Sequence, residues 1–270
     1  MSQDTPRNPI TLKPLVYSTS DADAVTPRRD VTFTGADGGE LLMDLYYPPT
    51  RTDQRLPVVL LVAGYNDVGF ERMLGCRFKA MESVAGWGRL LAASGMVAIA
   101  YTNRDPVPDA HALLRHLHES AAALHLDVER LALWACSGHG PAALWVLMAN
   151  PRAKCAALLY PYTMDLGGSL KVAEAQKSFK FAGAGEGESI EDLPDNVPIF
   201  IARAGKDEMP GLNDALDRFV TGALLRNLPI SIVNHAAGPH AFDLMDNSRR
   251  SREIIEQTLS FLRFHLEITQ

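Results

Sequence analysis

Residues 58–62 read Val-Val-Leu-Leu-Val, an unbroken apolar run closed two positions later by Gly64. A strand with one wet face alternates apolar and polar residues, so a short, uniformly apolar run describes a strand covered on both faces. Such a strand sits in the middle of a parallel sheet, and parallel neighbours need long crossovers, usually helices. The rest of the chain supplies them. Strand patterns at 31–33 and 41–47 flank the turn formers Asp37-Gly38-Gly39, and Pro48-Pro49 ends the second, which makes an antiparallel opening. Beyond the central run the pattern alternates: a helix around 87–94, a strand at 96–101, a helix around 110–124, a strand at 131–135 and a helix from Gly140. Further strands are expected at 156–160, 198–202 and 230–233. Leu113, Leu117, Ala121 and Leu124 form one helical stripe, and Ile255, Leu259, Leu262 and Leu266 form another in a closing helix. The fold class is therefore α/β, a mostly parallel sheet with helices on both faces.

A chain of 270 residues fits one such domain. Residues 1–28, broken by Pro6, Pro9, Pro14 and Pro27, read as an irregular N-terminal arm, and 29–270 as the domain itself. Residues 165–196, rich in Gly, Lys and Glu, are too long for an ordinary connection and read as a lid or insertion before the strand at 198–202.

Composition narrows the function classes. No apolar run approaches the roughly 18 residues of a membrane span, and Met1 to Ile10 have neither a signal-peptide nor a transit-peptide pattern. A net charge of −6 without a basic cluster argues against nucleic acid as a partner. Cys76, Cys136 and Cys155 are widely spaced, with no metal-ligand company, so no metal is expected and a reducing, cytoplasmic setting fits.

The chemistry concentrates at Ala135-Cys-Ser137-Gly138-His139-Gly140, where a strand runs through small residues into a helix. This looks like a nucleophile elbow, in which a sharp turn thrusts a serine hydroxyl out at the carboxyl end of the sheet, with small residues two before and two after. Ala135 meets that demand and His139 does not. Taking Cys136 as nucleophile would put Trp134 at the crowded position two before, so Ser137 is the better register.

A serine hydroxyl needs a base, and the base needs an orienting acid. Behind an elbow the acid follows a later strand and the histidine follows the last. Asp207, in Gly205-Lys-Asp-Glu-Met-Pro210, is the expected acid, with Glu208 and Asp165 as alternatives. His240, in Gly-Pro-His-Ala-Phe242, is the expected base, and His235 at the strand end is read as structural. Backbone N–H groups of Gly138 and Tyr65 occupy the places from which an oxyanion is held. Arg104 and Arg203, at predicted strand ends, are either substrate-carboxylate contacts or ion-pair residues.

Taken together, Leu-Met-Asp-Leu-Tyr-Tyr-Pro-Pro at 42–49, Gly-Trp-Gly-Arg-Leu-Leu-Ala-Ala-Ser-Gly at 86–95, the elbow, Gly-Lys-Asp at 205–207 and His-Ala-Phe-Asp at 240–243 resemble the dienelactone hydrolase-like branch of the α/β-hydrolase superfamily, over roughly residues 30 to 268. The resemblance implies an α/β-hydrolase fold and cleavage of a small-molecule carboxylic ester or lactone through an acyl-enzyme, without metal or other cofactor. Dienelactone hydrolases carry cysteine where this chain has Ser137, and glycine where it has His139. Acyl transfer to a bound acceptor on the same triad is one alternative. A non-catalytic ligand-binding protein is another, motivated by His139 crowding the elbow. A homodimer is compatible, although no exposed apolar stripe marks an interface.

Overall fold

The computed structural model describes residues 6–50, 54–150, 152–183 and 189–268. Eight strands form one sheet: β1 (Arg28–Thr34), β2 (Glu40–Tyr46), β3 (Leu56–Leu61), β4 (Val97–Tyr101), β5 (Leu126–Cys136), β6 (Cys155–Leu159), β7 (Ile199–Ala204) and β8 (Ile230–His235). Their spatial order is β1-β2-β4-β3-β5-β6-β7-β8. β2 pairs antiparallel with both β1 and β4, and every pairing from β4 to β8 is parallel.

Nine helices accompany the sheet among the described residues: α1 (Ser20–Asp23), α2 (Asp67–Leu74), α3 (Glu82–Ala93), α4 (Pro106–Ser120), α5 (Gly140–Ala149), α6 (Lys171–Phe179), α7 (Leu212–Leu225), α8 (Phe242–Met245) and α9 (Arg249–His265). All residues of β4 and β6 are buried, so helices cover both faces of the sheet, as the uniformly apolar strands require. The two helical stripes, 113/117/121/124 and 255/259/262/266, are buried throughout.

Of the boundaries that differ from the sequence reading, two have a clear cause. The helix read at 87–94 begins at Glu82, because apolar Val84 and Ala85 pack as its first turn. The strand read at 131–135 begins at Leu126. Leu126 and Asp127 pair with Leu56 and Pro57, the ladder slips, and Leu131 then pairs with Val58. Arg130 fixes this irregular stretch by bonding Asp127 and the carbonyl oxygens of Leu266 and Arg55. In the insertion read at 165–196 the described part holds α6 and a 3-10 turn at Ile190–Asp192, while 184–188 lie outside the described residues.

The N-terminal arm, whose first five residues also lie outside, is packed from Pro6 onward. Thr11, Ala22 and Val25 are buried, the Val16 N–H donates to the Asp243 carbonyl at 2.9 Å, and Leu15 fills the space a side chain at Gly86 would need. No described helix is long and apolar enough to cross a membrane.

Candidate active site

β5 delivers the chain to the sheet's carboxyl edge, and residues 137–139 turn once in a 3-10 helix before α5 begins. Ser137 holds φ at +51°, in the left-handed region that residues with side chains avoid, whereas Cys136 remains extended at −138°. The strained residue at the elbow is thus the serine. Such strain costs about 1–3 kcal/mol and persists only where the surroundings over-determine it.

Here the surroundings are backbone. A Cβ on Gly64 would lie 2.6 Å from the Cα of His139 and 2.7 Å from the carbonyl oxygen of Gly138, and one on Gly140 would collide with the carbonyl oxygen of Tyr162. The room expected from a small residue at position 139 is supplied instead by Gly64 across the elbow and by Gly140 one residue later.

His139 consequently has a place of its own. It is 5% exposed, and its Nδ1 accepts the Gly64 N–H at 2.8 Å. Its ring packs on Phe78 with centroids 4.1 Å apart and meets Tyr65 and Phe70 edge-on at 5.0 and 6.0 Å. Burial pushes its pKa down to about 3, so the imidazole is neutral, and because Nδ1 accepts, the proton is on Nε2. It crowds Gly64, not the serine.

Three scattered side chains meet beside it. Ser137 Oγ is 2.9 Å from His240 Nε2, and His240 Nδ1 is 2.7 Å from Asp207 Oδ2. An ionised carboxylate only accepts, so the Nδ1–H donates to Asp207 and the lone pair of Nε2 faces the serine hydroxyl. Asp207 Oδ1 accepts the Met209 N–H at 2.9 Å, and the carboxylate is shut off from solvent, while the imidazole remains about a quarter exposed. The loops after β7 and β8 are tied together: Gly205 donates to the His235 carbonyl and Lys206 to that of Gly238. A Cβ at Gly205 would strike the Ala236 carbonyl, which explains a glycine two residues before Asp207.

The alternatives are occupied elsewhere. Asp165 accepts the Val172 and Ala173 N–H groups at the start of α6, Glu208 is exposed, and buried His235 bonds Asp246 and Ser251 through Nε2 at 2.9 and 3.0 Å. Arg104 is paired with Asp37, and Arg203 makes a two-bonded pair with Asp217, so both are ion-pair residues. Gly138 is pinned by Tyr65, whose hydroxyl lies where a side chain on residue 138 would begin. The Tyr65 loop is held in turn by Asn103, which donates to its carbonyl, and by the insertion, where the Ala182 N–H donates to the Gly64 carbonyl and Phe181 packs on the Tyr65 ring.

Ser137 and His240 open on a cavity of about 350 Å³. Its walls are mainly apolar: Phe70, Leu74, Phe78 and Met81 from the stretch 67–81, the indoles of Trp87 and Trp134, and Leu244 and Met245 after His240. The stretch 67–81 was missed as an element by the sequence reading, although Phe70, Leu74 and Phe78 recur every fourth residue. Also missed was a buried polar group in the wall. Asp243 accepts the Tyr160 hydroxyl at 2.6 Å and the Trp87 indole N–H at 2.9 Å, and the Tyr160 ring stands edge-on to the His240 imidazole at 4.9 Å. Burial raises the Asp243 pKa. Cys136, beside the serine, has its thiol pushed strongly up by burial and stays protonated, a poor nucleophile. No group of metal-ligating side chains occurs among the described residues.

No family model matches this chain, and no curated protein is similar to it in sequence. Solved structures do match. A bacterial heroin esterase superposes with a TM-score of 0.71 at 18% identity, covering 93% of this chain and 87% of that one. A thermophilic and thermostable carboxylesterase cloned from a metagenomic library gives 0.67 at 19%, covering 94% and 90%. An alpha/beta hydrolase enzyme from the metagenome of Lake Arreo, Spain, gives 0.67 at 19%, covering 92% and 87%. At such identities the likeness is one of architecture: the chain has the α/β-hydrolase fold.

Proposed function

We propose that this α/β-hydrolase-fold chain is a serine hydrolase that cleaves a carboxylic ester or lactone of a small molecule through an acyl-enzyme. The observation that carries the reading is the hydrogen-bonded series Ser137–His240–Asp207 opening on an apolar cavity. Ser137 Oγ attacks the carbonyl carbon while His240 Nε2 takes its proton. Asp207 stabilises the imidazolium that forms and keeps the ring oriented. The tetrahedral oxyanion is held by the N–H groups of Gly138 and Tyr65. His240 then returns the proton to the departing alcohol oxygen, water enters by the same base, and the acid is released.

The esterases among the structural neighbours support ester chemistry. The resemblance to dienelactone hydrolases supports including lactones, with serine in place of their cysteine. The free, widely separated cysteines support a reducing cytoplasmic location, and the apolar walls support a small organic substrate. Hydrolysis is preferred over non-catalytic binding because His139, the residue that motivated the latter, bonds Gly64 and leaves the Ser137 hydroxyl facing its base.

Labelling with a fluorophosphonate probe tests the proposal. Intact protein is expected to react at Ser137, and Ser137→Ala is expected not to. Absence of labelling and of turnover on p-nitrophenyl esters would overturn the reading.

A further inference from the structure

The cavity beside Ser137 has a wall that no strand or helix of the sheet supplies. Ile10, from the N-terminal arm, lines it together with Leu74 and Met81. The arm is held in that position by several specific contacts. Asn8 caps the 3-10 turn Pro9–Leu12 by accepting the Ile10 N–H at 3.1 Å, and its own N–H donates to the Leu74 carbonyl at 2.9 Å. Arg7 donates to the Ala80 carbonyl at 2.7 Å. Gly75, in a left-handed conformation, lets the backbone of Pro6 and Arg7 approach so closely that a Cβ there would be 2.6 Å from the Pro6 carbonyl oxygen. Further along, the bond from Val16 to the Asp243 carbonyl fastens the arm to α8, directly after His240.

These contacts tie the arm to both walls of the cavity, the 67–81 stretch and the segment after His240. Ile10 is only half-buried, yet it faces the same space as the serine. An exposed linker would not need a capped turn, a buried Thr11 and a glycine reserved for its passage.

We propose that the N-terminal arm is part of the substrate site and that Ile10 limits the size of the apolar group the cavity accepts. The inference rests on the hydrolase reading above for the identity of the ligand as an ester. The reacting carbonyl is confined by Ser137, Gly138, Tyr65 and His240, so the portion of a bound ester that meets Ile10 is its apolar chain. Removing three carbons from that wall enlarges the cavity, and replacing isoleucine with an indole fills it. A pocket of this kind discriminates by methylene count, at about 10-fold or more per mismatch.

The test uses the full chain and two ester series, p-nitrophenyl esters graded in acyl length and butyrate esters graded in alcohol length. Each is measured as kcat/KM with Ser137 present and as binding to the Ser137→Ala protein by calorimetry. Ile10→Ala is expected to move the preferred chain length up by roughly two or three carbons in one series. Ile10→Trp is expected to lower kcat/KM for the longest members about tenfold, with the shortest members unchanged. Leu12→Ala, on the same arm but exposed and outside the cavity, serves as control and is expected to leave the profile in place. Length profiles unmoved by both Ile10 variants in both series would overturn the assignment. Binding profiles that shift with Ile10 while no ester is turned over would sink the hydrolase reading and leave the arm's role standing.

Discussion

The backbone N–H of Gly64 donates to Nδ1 of His139 at 2.8 Å, and a Cβ on Gly64 would lie 2.6 Å from the Cα of that same histidine. One residue pair thus carries both the hydrogen bond and the close approach that hold the loop after β3 against the elbow. A bulky residue two positions after the serine is accommodated because its neighbour across the gap has no side chain. The hydrogen bond also fixes the neutral form of a buried imidazole, and the loop so held presents Tyr65 to Gly138.

Gly64→Ala is expected to push the elbow backbone away, since the obstructing atoms are main chain and cannot rotate aside. Displacement of about 1 Å at a catalytic group costs about 10²-fold in rate, so kcat on p-nitrophenyl esters should fall by about that factor. Gly222→Ala is the comparison, because a Cβ there meets only the ends of two flexible side chains, Ile190 and Leu166. Equal activity in the two variants would contradict the role given to Gly64.

The two histidines after β8 should separate by readout. His240→Ala is expected to lose about 10³-fold or more in kcat with little change in Tm. His235→Ala removes a buried imidazole together with its bonds to Asp246 and Ser251, which keep their bonds to each other, and should cost about 1–3 kcal/mol of stability, seen in denaturant midpoints, with kcat unchanged. A large kcat loss in folded His235→Ala would show that the assignment of base is wrong.

Asp67, buried at the start of α2, provides a pH test. Its Oδ2 accepts the Asn103 N–H at 3.1 Å, but Oδ1 has no partner among the described residues, and desolvation lifts its pKa from 3.8 to about 6. Below pH 3.8 the group is protonated whether the chain is folded or not, and its contribution is fully present. As pH rises from 3.8 through about 6 the unfolded chain ionises while the folded one stays protonated, so stability is lost over that window, by about 3 kcal/mol in order of magnitude. Asp67→Asn removes that dependence. The variant should match wild type in Tm near pH 4 and exceed it near pH 7.5; a difference independent of pH would refute this account.

Much of this molecule was legible from local pattern. The apolar runs, the four-residue helical stripes and the turn glycines follow from periods of two and 3.6 residues, which act over a few positions. They sufficed for the sheet, and they pointed to Ser137, Asp207 and His240, which lie within hydrogen-bonding distance of one another, because the elbow and the loops after β7 and β8 are each marked by short runs of small residues beside a chemical group. The antiparallel start at β1 and β2 was readable for the same reason, from a glycine turn between two strand patterns.

The rest depended on contacts between distant positions. That His139 has a partner at all is a matter of Gly64, 75 residues earlier; that Asp243 is a buried acceptor depends on Trp87, 156 residues away, and on Tyr160. The arm at Ile10 resembled loose chain because prolines and polar residues break every local period, yet its hydrogen bonds go to Leu74, Ala80 and Asp243. Local sequence determined the elements and which side chains stand at their ends, since backbone sterics and apolar periodicity are short-ranged. Tertiary structure alone decided which surfaces close the cavity, because burial and hydrogen-bond satisfaction are settled only when separate segments arrive at one place.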